Sequence, residues 1–265
     1  KLIGREHLSN KLLRKLDGVK YSTSALSLFF ATDLDLRAAG LDSGNYWFYD
    51  HADVDGIYRL GLTGHVLTAD TPSGMFLTVT TLKDPSKMHR GHHTCEAFAF
   101  VGYEPFQKWA DEKSGTHSAD YDALKEDLAW RMFQFLEKRI PGLSQRVVFW
   151  SLGTPLTNAH YINATRGNLY GIEKNRSQVG PGSFPIQTEL DGLLMCGAST
   201  ESHGVAGATA SGLYAARHII QCRTSDLLKQ NGPELRIYPS EDVSQWPAHL
   251  RQRIERGRQS STGHG

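Results

Sequence analysis

The stretch that most constrains this chain is Gly192-Leu193-Leu194-Met195-Cys196-Gly197-Ala198-Ser199-Thr200, running on into Gly204-Val205-Ala206-Gly207-Ala208-Thr209-Ala210-Ser211-Gly212-Leu213-Tyr214-Ala215-Ala216. A short apolar segment ending in a glycine turn reads as a strand, and the run after it reads as a helix built almost wholly of small residues. Glycine and alanine put little side chain between the backbone and its neighbour, so the pattern brings main chain close to another group. Two kinds of group satisfy it. One is a sheet, on which Gly207, Ala208, Ser211, Gly212 and Ala215 let the helix pack tightly. The other is a cofactor, because the N–H groups and dipole at a helix start favour a phosphate, a carbonyl oxygen or an anionic ring.

Before this stretch the chain is strand-rich. Residues 5–17 carry Leu8, Leu12, Leu13 and Leu16 at helical spacing, closed by Asp17-Gly18, which gives an amphipathic helix. Residues 19–31, 46–49, 75–81 and 94–101 read as strands, with a polar loop over 84–93. A helix from about residue 118 or 120 to Pro141 presents Leu124, Leu128, Met132, Phe135, Leu136 and Ile140 as one apolar stripe, and residues 147–150 return as a strand that Pro155 ends. This order predicts an α+β fold, a mixed β-sheet with covering helices on one face. Residues 160–192 are dominated by glycine and loop residues. After Cys222 the chain turns polar, with Pro233, Pro239 and Pro247, so residues 223–265 read as an appended tail with one short helix near 247–256.

Several segments fall together in one recognisable order. The Gly192–Ala216 run resembles the C-terminal flavin-binding signature "GLYLCGxST…GVxGAxxSGxxAA" of the phytoene desaturase, carotenoid isomerase and retinol saturase group of FAD-dependent oxidoreductases. Tyr21-Ser22-Thr23-Ser24-Ala25-Leu26-Ser27-Leu28-Phe29-Phe30 is similar to the group's "YSxSxxxxxL" strand, and Trp109 after Tyr103-Glu104-Pro105-Phe106 to its "PxxxW" element. Ile140-Pro141-Gly142-Leu143, Gly153-Thr154-Pro155-Leu156-Thr157-Asn158 and Gly167-Asn168-Leu169-Tyr170-Gly171 resemble its "PGL…GTPLTxxxY…GxxYG" run. The likeness spans roughly residues 20 to 220, and its "GTPLT" element leans towards the isomerase-like branch.

The resemblance implies an enzyme that desaturates, saturates or isomerises double bonds of an apolar isoprenoid or carotenoid-like polyene. It places residues 1–160 in a substrate-binding domain and 161–222 in the C-terminal strand and helix of a Rossmann-like FAD-binding domain, with 223–265 as tail. Gly197, Ala198, Ser199, His203, Gly204, Val205, Gly207, Ala208 and Thr209 then face the cofactor. Members of the group hold the ADP half of FAD on a strand, a G-x-G-x-x-G turn and a helix, and no such motif occurs here. The chain is therefore read as the C-terminal portion of a longer enzyme or as one half of a split one. Its partners are an apolar small molecule and a separate N-terminal FAD-binding half, and alone it binds FAD weakly or not at all. Ala198 departs from the group, which often has an acidic or polar residue after "CG". Ser199 or Thr200 then substitutes, or flavin affinity falls. The alternative is a non-catalytic module that binds an apolar ligand or a partner subunit and holds no flavin.

Composition narrows the remaining classes. A formal net charge of +1 provides no global field for nucleic acid, so no nucleic-acid partner is expected. Cys95, Cys196 and Cys222 are scattered, which fits neither a disulfide framework nor a zinc site and points to a reducing cytoplasmic or organelle interior. No apolar run approaches the ~20 residues needed to cross a bilayer. Arg251, Arg253, Arg256 and Arg258 give the last helix a basic face that fits solvent or a peripheral membrane contact. His89, His92, His93 and Cys95 superficially resemble metal ligands but lack a second half, and they read as a solvated loop, with no metal expected. Ser22, Ser24, Asp33 and Asp35 have no G-x-S-x-G elbow to make one of them a nucleophile. No catalytic side chain is assigned. His203 is either a proton donor beside the flavin edge or a loop histidine in solvent. Among Phe29, Phe30, Tyr46, Trp47, Phe48, Phe98, Phe100 and Trp150, strand alternation sends about half to each face, and about a third line a pocket for a polyene.

Overall fold

Strand alternation sets the architecture. The computed structural model describes residues 3–229 and 232–259. Their elements run α1 (Asn10–Asp17), β1 (Ser24–Thr32), β2 (Asn45–Tyr49), α2 (Val54–Gly61), β3 (Gly74–Val79), α3 (Thr80–Lys83), β4 (His93–Val101), α4 (Ala119–Glu137), β5 (Val147–Gly153), α5 (Pro155–Tyr161), α6 (Gly204–Ile220), α7 (Thr224–Leu227) and α8 (Ala248–Gln259). They form two units. One takes the described residues of 24–162 and 235–265 and holds the sheet; the other takes those of 1–23 and 163–234. These limits differ from the sequence-derived ones at both ends, since the described residues up to Thr23 group with those of 163–234 and the described residues after Glu234 group with the sheet.

In the sheet unit the strand order is β2-β3-β4-β1-β5, and every pair is antiparallel. The mixed sheet read from the sequence is thus corrected. The strand–helix–strand passage β4-α4-β5 does return a parallel strand, but β1 lies between the two and is antiparallel to both, a split βαβ arrangement. Even-numbered residues of β1 and odd-numbered residues of β3 and β4 are buried against the helix layer, among them Leu26, Leu28, Phe30, Met75, Leu77, Val79, Ala97 and Val101. On α4, Leu128, Met132, Phe135, Leu136 and the following Ile140 are buried as the stripe requires. Phe133 joins them and meets Phe30 edge-on at 5.4 Å.

Element ends moved where side chains capture backbone. Ser9 accepts the Leu12 N–H at 3.2 Å, so the first α-helix begins at Asn10 and Arg5–His7 makes a separate 3-10 turn. The strand read over 75–81 stops at Val79, where Thr80–Lys83 turns helical. Residues 192–196 form no strand: Leu194 makes only an isolated bridge to Gln187. The polar C-terminal stretch is not a free tail. Ile254 of α8 is buried, α8 packs on the 3-10 turn Pro85–Lys87, and the Glu241 carboxylate pairs with Arg37 at 2.5 Å and accepts the Ser43 N–H at 2.9 Å. The Arg258 side chain and residues 260–265 lie outside the described residues.

Candidate functional site

In the smaller unit the glycine turn before α6 is fixed from two sides. Ser211 of α6 accepts the Gly197 N–H at 2.7 Å and donates to the Ala208 carbonyl at 2.7 Å. Thr200 is buried and donates to the Gly197 carbonyl at 2.8 Å. On the other side, the Ser22 and Leu169 N–H groups donate to the Gly171 and Thr23 carbonyls, both at 2.9 Å, and Ser22 Oγ accepts the Tyr170 N–H at 3.0 Å. Gly171 has φ +76°, and a Cβ there would stand 2.5 Å from Ser199 Oγ. The Gly167–Gly171 motif is therefore glycine-ended because it presses on the Gly197–Thr200 turn.

All nine residues expected to face a cofactor lie on this turn or the first turns of α6. Gly197, Ala198 and Ser199 are half-buried, His203 is the N-cap, and Gly204 and Val205 are exposed, Val205 by 88%. Gly204 has φ +79°, and a Cβ on it meets nothing within 4 Å. No side chain caps the helix start, so its first N–H groups are left for something else. These two features fit an electron-rich edge such as that of a flavin. Gly207 has a different reason to be glycine: a Cβ there would come within 2.6 Å of the Ser202 carbonyl oxygen. Ala208 and Thr209 follow it, half-buried and exposed respectively. Of the two hydroxyls weighed to compensate for Ala198, that of Thr200 is spent inside the turn.

Two neighbours of the turn are not singled out as site residues in the sequence: Tyr170, inside the Gly167–Gly171 motif, and Lys174, which belongs to no motif. Tyr170 lies 5.1 Å from the His203 ring, centroid to centroid, and burial pushes its phenol up. Lys174 donates to the Thr200 and Glu201 carbonyls at 3.5 and 3.4 Å, and burial pulls its ammonium down, opposed by the Glu201 charge.

The sheet unit offers a second feature. Phe30, Tyr46, Phe48 and Trp150 pack on the helix side, whereas Phe29, Trp47, Phe98 and Phe100 stand on the opposite, more open face. There Trp47 meets Phe76 and Phe98 at 5.2 and 5.4 Å, and Phe76 stacks on Phe98 at 4.7 Å. Tyr58 of α2 covers Phe100 at 5.0 Å, while Trp47 and Phe29 stay 43% and 46% exposed. Trp47, Phe98 and Phe100 line one small cleft. Phe29 and Ser151 line another of about 490 Å³ that runs to His117 and His160.

The other groups weighed for chemistry have structural partners. His93 is not in a solvated loop but buried at the start of β4, with its Nδ1 2.9 Å from Thr81 Oγ1; burial lowers its pKa. Cys95 is buried two residues on, its thiol pushed up to about 12. Asp33 pairs with Arg146 at 2.7 Å, and Asp35 caps the Arg37 and Ala38 N–H groups. Among the described residues no group of three metal-ligating side chains forms, and no helix is long and apolar enough to cross a membrane.

No protein-family model matches the chain. All-trans-retinol 13,14-reductase of Danio rerio is 28% identical over 215 residues, covering 78% of this chain and 35% of the reductase. The Homo sapiens reductase is 27% identical, over 82% of this chain and 38% of its own. Prolycopene isomerase of Arabidopsis thaliana, a chloroplastic protein, is 31% identical over 55% of this chain and 24% of its own. A solved oxidoreductase from Methanosarcina mazei aligns over 80% of this chain and 39% of its own, at TM-score 0.46 and 13% identity. The chain spans about a third of the length of the reductases it matches. It is a homologue of the all-trans-retinol 13,14-reductases and the prolycopene isomerases.

Proposed function

We propose that this chain supplies the polyene-binding face and the flavin-facing turn of an FAD-dependent oxidoreductase acting on double bonds of an apolar isoprenoid. The observation that carries the reading is the aromatic cluster on the open sheet face, in a homologue of enzymes named for a retinoid and a carotenoid. A conjugated chain is flat and apolar, and so is a row of rings. Covering ~200 Å² of such surface at ~25 cal/mol per Å² favours binding by ~5 kcal/mol before association costs.

When bound, FAD supplies the hydride or electron exchange that desaturates, saturates or isomerises a double bond. The residues here position it. The free N–H groups of the first turn of α6, from Gly204, stabilise negative charge there, and Gly197, Ala198 and Ser199 shape the approach. His203, beside Tyr170, borders the proposed flavin edge as the residue before α6. The ADP half needs a nucleotide-binding segment with a G-x-G-x-x-G turn, which this sequence lacks, on the same or a separate polypeptide. Exposed Arg251, Arg253 and Arg256 fit a peripheral contact with an anionic membrane.

Titrating the purified chain with all-trans-retinol tests the reading. Tryptophan emission falls saturably, and Trp47→Phe removes most of the change. Absence of saturable binding by either retinol or a carotene refutes it. Polyene binding with no flavin uptake, even beside a nucleotide-binding segment, favours the non-catalytic alternative.

A further inference from the structure

The cleft of about 490 Å³ that Phe29 and Ser151 line differs in chemistry from the aromatic row. Its size is ordinary for a small-molecule pocket, ~300–1,000 Å³, and its lining is of two kinds. Phe29, Trp109, Leu152 and Leu156 are apolar. Against them stand His117 from the loop before α4, Lys125 from α4 and His160 from α5.

Tyr121 fixes two of these polar groups. It is buried, Trp109 meets its ring edge-on at 5.4 Å, and its hydroxyl lies 2.6 Å from the Oγ1 of Thr154, the N-cap of α5. His117 stacks on the same ring at 4.3 Å, and Lys125 Nζ stands 5.8 Å from its centroid, within reach of a cation–π contact. Both side chains are half-buried. Among the described residues the Lys125 ammonium and the rings of His117 and His160 have no hydrogen bond or ion pair. Three donors from three elements therefore converge on one cleft with nothing to bond. The two carboxylates in the lining do not answer them: Glu112 accepts from the Ser118 N–H and hydroxyl at 2.8 and 2.7 Å, and Asp122 is exposed, its charge solvated and screened.

We propose that this cleft binds a carboxylic acid with an apolar chain, its carboxylate received by Lys125 and the His117 and His160 rings and its chain laid on Phe29, Trp109 and Leu156. A monoanion fits better than a phosphate dianion. Lys125 is the one permanent charge among the three donors, each histidine carries only part of a charge near neutrality, and Asp122 is in the lining, so a second negative charge finds no match. Charge-assisted hydrogen bonds to a carboxylate are stronger than neutral ones, and the acid is thereby selected over the alcohol of the same chain. The site goes beyond the polyene reading and does not rest on it.

The test titrates octanoate and 1-octanol, which share a chain length and differ in charge, separately into the full chain by calorimetry. Octanoate is expected to bind saturably, one per chain and at least ~10-fold more tightly than octanol. Histidine ring signals, assigned by nuclear magnetic resonance through His117→Gln and His160→Gln, move with octanoate and stay in place with octanol. Lys125→Gln abolishes the preference for the acid, and Lys125→Arg keeps it, which separates the charge from a structural role of the side chain. No saturable uptake of octanoate, equal binding of acid and alcohol, or a preference that survives Lys125→Gln overturns the site. Each of those results leaves the polyene reading standing, because retinol binding is scored at Trp47, outside this cleft.

Discussion

Gly207 and Gly212 lie on the same small-residue helix, yet substitution by alanine should move stability in opposite directions. At Gly212 an added Cβ meets nothing within 4 Å. Gly212→Ala therefore gains only helix propensity, ~0.5–1 kcal/mol. At Gly207 the same Cβ falls 2.6 Å from both the Ser202 Cβ and its carbonyl oxygen, and 2.7 Å from its carbonyl carbon. Backbone cannot swing aside as a flexible side chain does, so the Ser202–Gly204 turn must shift or α6 must bend, at ~1–3 kcal/mol. Net of propensity, Gly207→Ala loses ~0–2 kcal/mol, and the gap between the two variants is ~1–3 kcal/mol. At ~2–4 °C per kcal/mol a thermal melt resolves it. All five tryptophans, Trp47, Trp109, Trp130, Trp150 and Trp246, belong to the sheet unit, so the melt is followed by circular dichroism rather than by tryptophan fluorescence. A bulky residue at Gly207 also displaces the turn proposed to face the flavin and abolishes flavin uptake by the complete enzyme, while Gly212→Ala keeps it. Equal shifts in the two variants, or a stabilised Gly207→Ala, would refute the clash argument.

Thiol titration should rank the cysteines: exposed Cys196 reacts first, and buried Cys95, whose thiol is pushed up to about 12, reacts only on unfolding. Flavin bound at the turn should slow the reaction of Cys196, and an unchanged rate in flavin-loaded enzyme contradicts the assignment of that turn. Phe133→Ala empties the seat against Phe30 and should cost ~3–5 kcal/mol in urea unfolding of the sheet unit; a loss below ~1 kcal/mol would show that α4 does not carry the core. Glu137 accepts the Ser144 and Gly142 N–H groups at 2.8 and 2.6 Å, which hold its carboxyl below the usual value. A depressed carboxylate contributes stability above its unfolded pKa and loses it as pH falls through the lower folded value. Glu137→Gln should therefore flatten the acid limb of the pH–stability curve, and an unaltered limb rules that role out.

Much of the fold is legible because periodicity is local. The α4 stripe, the aromatic β2 and the alternation that splits Phe29 from Phe30 each follow from a few adjacent residues. Sheet direction is not local. The β4-α4-β5 passage looks like a parallel crossover until β1, more than sixty residues upstream of β4, slides between its strands, and no periodicity within the passage signals it. The same holds for residues 192–196, whose apolar run lacks a partner strand beyond the bridge at Gln187. In the turn before α6 the glycines were legible as close approaches, but not what they approach: Gly171 meets Ser199 and Gly207 meets Ser202. Tyr170 stands in the Gly167–Gly171 motif, but its place beside His203 follows only from folding, and Lys174 is distinguished from surface positions by neither spacing nor residue type. His93 follows a polar loop and shares its character in sequence, while its own strand buries every second residue from His93 to Val101.

The central claim is that the open face of the sheet is where a polyene lies, and locating the ligand tests it most directly. The chain is irradiated with a photoreactive retinoid and the labelled peptides are sequenced. Label concentrated on residues 45–49, 74–79 and 93–101, and displaced by excess all-trans-retinol, is the predicted result. Label confined to the solvent side of α4, or spread over the chain and indifferent to competitor, contradicts the account.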